Sequence, residues 1–307
     1  MTTFERLADF AEGDFVAVTG FPHATQQAVM PLVAYRAGEI RPYGTCFAIS
    51  PQGIALTARH VVDEALGLGN WTASAPPVSS DWAMGALYVR SPTLGDGDVP
   101  DLVGGILPVT KTNMCADLDV AALVLNLPVN SNTGEALQLP VFKLSPGLPD
   151  VGLACFGLGY HAMHWTSVET YRQVQQSYSA TRGVIEEVHF PLRDQHFAPF
   201  PCFRTSSRFD PGMSGGPVTN ASGAVIGVIC SSLGQHDDGG YISYASAIGP
   251  ALLLQIEARG ASGQVGPAFL YDFVAGGAVL TDESMKTLSI ERTRGARHGL
   301  RKGTNFS

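Results

Sequence analysis

The chain has 307 residues, of which 45% are hydrophobic and 15% are charged. This composition buries a core, so it excludes a disordered chain and a coiled coil. The formal net charge of -8 argues against a chain-wide basic surface for nucleic acid or anionic lipid.

The predicted elements begin with a short helix at residues 1–13, where apolar residues recur at helical spacing. From residue 14 onward, short β-branched or aromatic runs end at Gly, Pro, Asn or Ser, which predicts strands joined by turns. Closely spaced strands without long helical patterns indicate antiparallel sandwiches or barrels. The predicted strands are 15–20, 45–49, 54–57, 120–125, 153–156, 183–188, 216–219, 224–229 and 241–245.

Two β units are expected, at about 14–135 and 136–258, joined through the proline-containing region 126–147. Residues 250–258 predict a helix that closes the domain. Residues 259–307 form a C-terminal extension, and we interpret its last stretch, from Lys286 onward, as a solvated basic tail. A docking segment for an acidic partner or RNA is the alternative. The basic residues are Lys286, Arg292, Arg294, Arg297, Arg301 and Lys302.

The N-terminus, the apolar runs and the cysteines predict where the protein is located. The segment MTTFERLADFAEGD lacks the basic start and apolar region of a secretory signal, and no run approaches the roughly 18 apolar residues of a membrane helix. The five cysteines stand singly, without metal-ligand spacing. We therefore expect a cytoplasmic protein with reduced cysteines, no membrane attachment and no metal site.

Three short segments carry the chemistry: LTARHVV around His60, DLDVAAL around Asp119 and DPGMSGGPV around Ser214. A serine hydroxyl is a weak nucleophile at neutral pH and needs a base, and the base needs an acceptor that fixes its tautomer. His60, Asp119 and Ser214 are the candidates for these roles. Asp117 competes for the third role, but we favour Asp119 because the apolar run starts directly after it.

The glycines around Ser214 also have a chemical reason. They allow a sharp turn in which the backbone N–H groups of Gly212 and Ser214 converge on one point, where Cβ atoms would obstruct. We predict that this point is an oxyanion hole.

These segments resemble the chymotrypsin-fold (trypsin-like) serine proteases, through the patterns TAxH, D-[IV]-A-x-L and GxSGGP over roughly residues 14–255. The resemblance is closest to the bacterial high-temperature-requirement type, without its C-terminal peptide-binding domain. It implies an all-β fold of two antiparallel six-stranded barrels, with a short N-terminal helix and a C-terminal helix or tail. It also implies a serine endopeptidase that acts through an acyl-enzyme and needs no cofactor.

Two departures separate the chain from the digestive members of that family. Met213 occupies the position of the aspartate that pairs with a new N-terminus after zymogen cleavage, and no Ile-Val-Gly-Gly start is present. Val61 stands where a disulfide cysteine would follow the histidine, which agrees with a reducing compartment.

The resemblance also assigns a primary substrate pocket. Arg208 falls where trypsin has the acid that selects basic side chains, so a basic preference is not expected. An inward Arg208 would favour acidic substrate side chains, and an outward one would favour small or apolar side chains. The pocket residues implied are Arg208, Phe209, Cys230, Ser231 and Ser232, with Ile242 a further candidate.

Other functions stay open beside the endopeptidase. The second hypothesis is a catalytically silent protease-fold module that binds peptides or a partner protein. The GxSxG match also fits the nucleophile elbow of α/β-hydrolases, but the order of the three residues disagrees with that fold. HxxH at residues 161–164 is a weak metal signal. The expected partners are a protein or peptide substrate and an activating protein, with nucleic acid expected at most through the basic tail.

Overall fold

The computed structural model describes residues 15–17, 24–36, 39–67, 82–90, 103–115, 117–167, 172–235, 241–259, 265–292 and 298–302. The helix predicted for residues 1–13 lies outside the described residues. Among the residues that are described, no helix has both the length and the apolar character needed to cross a membrane.

The first barrel follows β1 (Phe15–Ala17) and a short helix, α1 (Ala24–Ala28). Its strands are β2 (Val29–Arg36), β3 (Glu39–Ala48), β4 (Ile54–Thr57), β5 (Ala83–Arg90), β6 (Val103–Met114) and β7 (Ala121–Leu125). They follow the order β2-β3-β4-β7-β6-β5, and β5 pairs with β2 to close the barrel. Phe47, Leu56 and Leu123 are fully buried in its core. Between β4 and β5 lies the helix α2 (Arg59–Leu66).

The second barrel is built from six further antiparallel strands. They are β8 (Ala154–Ser167), β9 (Arg172–His189), β10 (Cys202–Thr205), β11 (Pro217–Thr219), β12 (Val225–Gln235) and β13 (Tyr241–Ala247). Their order is β8-β9-β10-β13-β12-β11, and β11 returns to β8. The predicted all-β class with two six-stranded barrels is confirmed.

The strand β1 differs from its predicted position. We placed residue 14 onward in the first barrel, but β1 pairs with β9 of the second, with Phe15 opposite Thr181. The reason is the length of β9, which pairs with β10 only through residues 185–189 and leaves its edge at 179–181 open. An open strand edge recruits whichever extended segment can reach it.

The connection between the barrels packs against the first barrel. Phe142 lies edge-on to Phe47, with 5.9 Å between ring centroids, and its N–H donates to the carbonyl of Ala48 at 3.0 Å. The connection therefore covers the end of the first barrel with an apolar side chain instead of crossing solvent.

The helix predicted over residues 250–258 is wrong. The chain forms a 3-10 turn at Gly249–Leu253 and then the strand β14 (Gln255–Arg259), which pairs with β15 (Val265–Phe269). Burial shows why, because Ile256 is buried whereas Gln255 and Glu257 are exposed. This alternation has the period of a strand, and three consecutive leucines before it conceal the period.

The C-terminal extension is packed against the body of the protein where it is described. The helix α3 (Leu270–Ala275) buries Leu270, and Val279 is buried beyond it. The N–H of Leu144 donates to Leu280 and the N–H of Asp282 donates to Leu144, so this segment is tied to the connection between the barrels. Residues 266–285 are therefore part of the folded body, and the solvated tail expected from Lys286 onward stays a prediction. Two final strands, β16 (Leu288–Arg292) and β17 (His298–Lys302), pair with each other, and Arg294 and Arg297 lie outside the described residues.

Candidate active site

His60 is the second residue of α2, directly after β4. The helix is held in place by Val61, Val62 and Ala65, which are buried, and it ends at Gly67 in a left-handed conformation with φ 68°. A glycine there ends a helix without steric cost. These contacts fix the backbone beneath the imidazole.

Asp119 holds His60 at two points. One carboxylate oxygen accepts the backbone N–H of His60 at 3.0 Å, and the other lies 2.9 Å from the ring Nδ1. Asp119 is 9% exposed, whereas Asp117 is exposed. The structure therefore brings Asp119 to His60 and leaves its competitor Asp117 at the surface.

The charges of this pair stabilise each other. Burial alone would lower the pKa of His60, but the charge of Asp119 and its hydrogen bond, with smaller contributions from Glu64 and Asp63, outweigh burial and raise that pKa. Burial likewise opposes the ionised form of Asp119, but His60 overcomes this effect and the pKa of Asp119 is lowered. Asp119 is therefore ionised at neutral pH and favours a protonated His60.

The loop before β11 carries Ser214 and turns sharply twice. The N–H of Met213 donates to the carbonyl of Asp210 at 3.0 Å, around Pro211 and Gly212, and Gly212 has φ 97°. Proline followed by a glycine at positive φ is the pattern of a type II turn. The second turn needs Gly215, because a Cβ there would lie 2.1 Å from the carbonyl oxygen of Thr45.

The predicted oxyanion donors take no part in the hydrogen bonds that hold their loop. Hydrogen bonds within the loop use the N–H groups of Met213, Gly215 and Gly216. In the part of the chain that the structure describes, the N–H groups of Gly212 and Ser214 donate to no protein acceptor. They are the two donors that the sequence singled out.

Cys230 connects Ser214 to the histidine–aspartate pair. The Ser214 hydroxyl donates to the carbonyl oxygen of Cys230 at 3.3 Å, and the Cys230 side chain makes a small contribution to the lowered pKa of Asp119. Ser214 and His60 line two neighbouring cavities, of about 330 and 520 Å³, and Ser231 lines both. Ser214 thus lies in the cavity next to the one that His60 and Asp119 line, and its hydroxyl is directed at Cys230.

The predicted pocket residues lie in three different places. Phe209, Ser231 and Ser232 line the cavity beside Ser214. Cys230 lines the neighbouring cavity next to His60. The guanidinium of Arg208 instead makes two hydrogen bonds to Asp210, at 2.7 and 2.8 Å, and lies over the ring of Tyr241.

The sequence reasoning missed several residues around the site. Asp210 was missed as the partner of Arg208, although the two stand only two positions apart. Ile229 and Tyr241 line the cavity beside Ser214 and were not assigned to it. The ring Nδ1 of His161, from the HxxH pattern, lies 3.1 Å from the hydroxyl of Ser179. The described residues contain no cluster of three metal-ligating side chains.

The sequence of this chain is similar to that of a peptidase family. A family model, the trypsin-like peptidase domain, matches residues 44–228. A search of curated proteins found no match. Among solved structures, Deg5 is similar with a TM-score of 0.45 and 17% identity over 73% of this chain and 85% of its own. The HtrA-type protease AlgW with a decapeptide has a TM-score of 0.42 and 19% identity, over 75% of this chain and 64% of its own. The active form of the Rv3671c protease from M. tuberculosis has a TM-score of 0.43 and 17% identity, over 78% of this chain and 88% of its own.

Proposed function

The chain belongs to the trypsin-like peptidase domain family and is a serine peptidase, and we propose that it is an endopeptidase whose catalytic triad is His60, Asp119 and Ser214. One observation carries the triad assignment. Asp119 binds both the ring Nδ1 and the backbone N–H of His60, which fixes the imidazole with its other nitrogen available to act as a base.

In the proposed mechanism, the Ser214 oxygen attacks the scissile carbonyl while Nε2 of His60 accepts the hydroxyl proton. The N–H groups of Gly212 and Ser214 stabilise the negative charge that develops on the carbonyl oxygen. His60 then returns the proton to the leaving amine, and an acyl-enzyme remains on Ser214. Water attacks the acyl group by the same proton transfers, and Asp119 remains ionised throughout.

Hydrolysis of a fluorogenic peptide library tests this proposal. We expect turnover by the wild-type protein and none above background with Ser214→Ala. The control is Ser222→Ala, because Ser222 is an exposed serine in the turn between β11 and β12. Turnover that survives in Ser214→Ala would contradict the assignment.

One observation favours the second candidate, a protease-fold module that binds peptides without cleaving them. The Ser214 hydroxyl donates to the carbonyl of Cys230, so catalysis requires it to turn toward the imidazole. We propose that substrate, an activating partner or oligomerisation supplies this change. Peptide binding with no turnover under any of these conditions would favour the silent module.

The cavity beside Ser214 supports a preference for small or apolar side chains at the cleaved bond. The Arg208–Asp210 pair cancels the two charges at its edge, and Ile229, Phe209 and Tyr241 form apolar walls. Because Asp210 binds the guanidinium of Arg208, we do not expect Arg208 to select acidic side chains of the substrate. In the peptide library we expect cleavage after Ala, Val or Leu, and cleavage after Lys or Arg would contradict this prediction.

The raised pKa of His60 predicts the pH dependence of activity. A protonated imidazole cannot accept the serine proton, so kcat/KM should fall on acidification with a midpoint above about 6.5, the ordinary value for histidine. The contribution of His60 to stability runs in the opposite direction. It is fully present below that ordinary value and is lost as pH rises through the raised pKa. Activity profiles and denaturant unfolding across pH 5 to 9 measure both, and an activity midpoint below 6 would contradict the assignment.

A further inference from the structure

Thr45 of β3 lies where the first barrel, β8 and the Ser214 loop meet. It is fully buried, and its N–H donates to the carbonyl oxygen of Ser214 at 2.8 Å. Its hydroxyl donates to the carbonyl oxygen of Gly212 at 2.8 Å and accepts the N–H of Tyr160 at 3.0 Å. One threonine therefore bonds both barrels and both ends of the segment 212–214.

The Ser214 loop lies directly on β8, and this makes the Thr45 hydroxyl necessary. The strand β11 pairs with β8 only at residues 156 and 157, so the edge of β8 beyond them faces the loop. A Cβ on Gly212 would lie 2.9 Å from the carbonyl of Tyr160, and one on Gly216 would lie 2.1 Å from the carbonyl of Leu158. No water-sized gap separates loop and strand at these points, so the N–H of Tyr160 and the carbonyl of Gly212 depend on Thr45.

The backbone of Thr45 is itself held. Thr57, also fully buried, donates its hydroxyl to the carbonyl of Thr45 at 2.7 Å. Thr57 belongs to β4, three residues before His60. The strand that leads to the histidine and the loop that carries the serine are therefore fixed to the same residue.

We propose that Thr45 is a positioning residue for the oxyanion hole. The peptide unit between Gly212 and Met213 is held at both ends, its carbonyl by Thr45 and its N–H by Asp210. The two oxyanion donors, the N–H groups of Gly212 and Ser214, flank this unit. The inference rests on the proposed function, because the oxyanion hole belongs to that proposal. Thr45 is a positioning residue because it does not contact the reacting atoms.

Removal of the hydroxyl leaves two buried backbone groups without partners. Unsatisfied groups of this kind are costly, and the loop regains partners only by moving away from β8. A displacement of about 1 Å at a catalytic group is enough to cost about 10²-fold in rate. The structure thus predicts a loss of catalysis from a residue that lies behind the site.

The test compares Thr45→Val, which keeps the shape and removes the hydroxyl, with Thr45→Ser, which keeps the hydroxyl. We expect Thr45→Val to lower kcat by about 10- to 100-fold, the range for a misplaced oxyanion donor. KM and the pH midpoint should stay unchanged, because the His60–Asp119 pair is untouched. Thr45→Ser should remain within about threefold of wild type. The value of kcat is calculated from the concentration of active sites that a fluorophosphonate titrates, so that unfolded chains do not lower it.

A second measurement does not depend on activity. Amide hydrogen exchange, read on peptides covering residues 210–216, should be faster in Thr45→Val and unchanged in Thr45→Ser. If Thr45→Val does not accumulate as folded protein, Thr45→Ala removes the same hydroxyl and takes its place. If the wild-type protein shows no turnover, the proposed function is contradicted. Amide hydrogen exchange would then still test whether Thr45 holds the loop in place. The inference would be overturned if Thr45→Val showed unchanged amide exchange or a kcat within threefold of wild type. It would also be overturned if Thr45→Ser lost as much kcat as Thr45→Val.

Discussion

Replacing Asp119 with asparagine is expected to lower kcat by about 10⁴-fold, the loss typical of a triad aspartate changed in this way. The amide keeps the volume and can still accept the backbone N–H of His60. It no longer enforces the tautomer in which Nδ1 carries the proton and Nε2 accepts one. The loss of charge also removes the largest influence that raises the pKa of His60, so the acid limb of activity should move to lower pH. Steady-state kinetics from pH 5 to 9 measure both effects.

Asp117→Asn is the matched control for this prediction. It makes the same chemical change two residues away at an exposed position, so activity should stay within about twofold of wild type, as surface substitutions usually do. Equal losses in the two variants would show that general disturbance of this loop, and not the bond to His60, explains the effect.

Substituting His60 by alanine should have a still larger effect, on the order of 10⁶-fold in kcat, as found when a triad histidine is removed. The serine proton then has no acceptor, and the leaving amine has no donor. The remaining rate comes from the oxyanion donors and from substrate binding. Kinetics with enzyme at high concentration can measure so slow a rate, and peptide binding should persist.

His164→Ala provides the comparison for His60→Ala. His164 is exposed at the other histidine pair, 161–164, and lies outside the cleft, so its removal should leave kcat unchanged. If His60→Ala retained a tenth or more of the wild-type rate, the imidazole could not be the general base.

The class of the fold and the contact between Asp119 and His60 could be predicted from the sequence, whereas the position of single strands could not. The short motifs around His60, Asp119 and Ser214 contain the residue types that the chemistry demands. The position of β1 could not be predicted in the same way. Its partner is decided by the free edge of β9, and a three-residue strand carries too little pattern to identify a partner.

Two local predictions failed or stayed open because tertiary contacts decide them. Residues 252–254 are consecutive leucines, which do not distinguish a helix from a strand, and the residues after them form a strand because they pair with β15. The direction of Arg208 depended on Asp210, which captures its guanidinium with two hydrogen bonds. The role inferred for Thr45 had no sequence signal, because its partners Tyr160, Gly212 and Ser214 are more than 100 residues away.

Covalent labelling by a fluorophosphonate tests the central claim most directly. Peptide mapping by mass spectrometry should find one phosphonyl group per chain on Ser214. The adduct should be absent from Ser214→Ala, and its rate of formation should fall as His60 becomes protonated. A folded wild-type protein that takes up no label even with an activating partner present, or that takes it up on a different residue, would contradict the proposed triad.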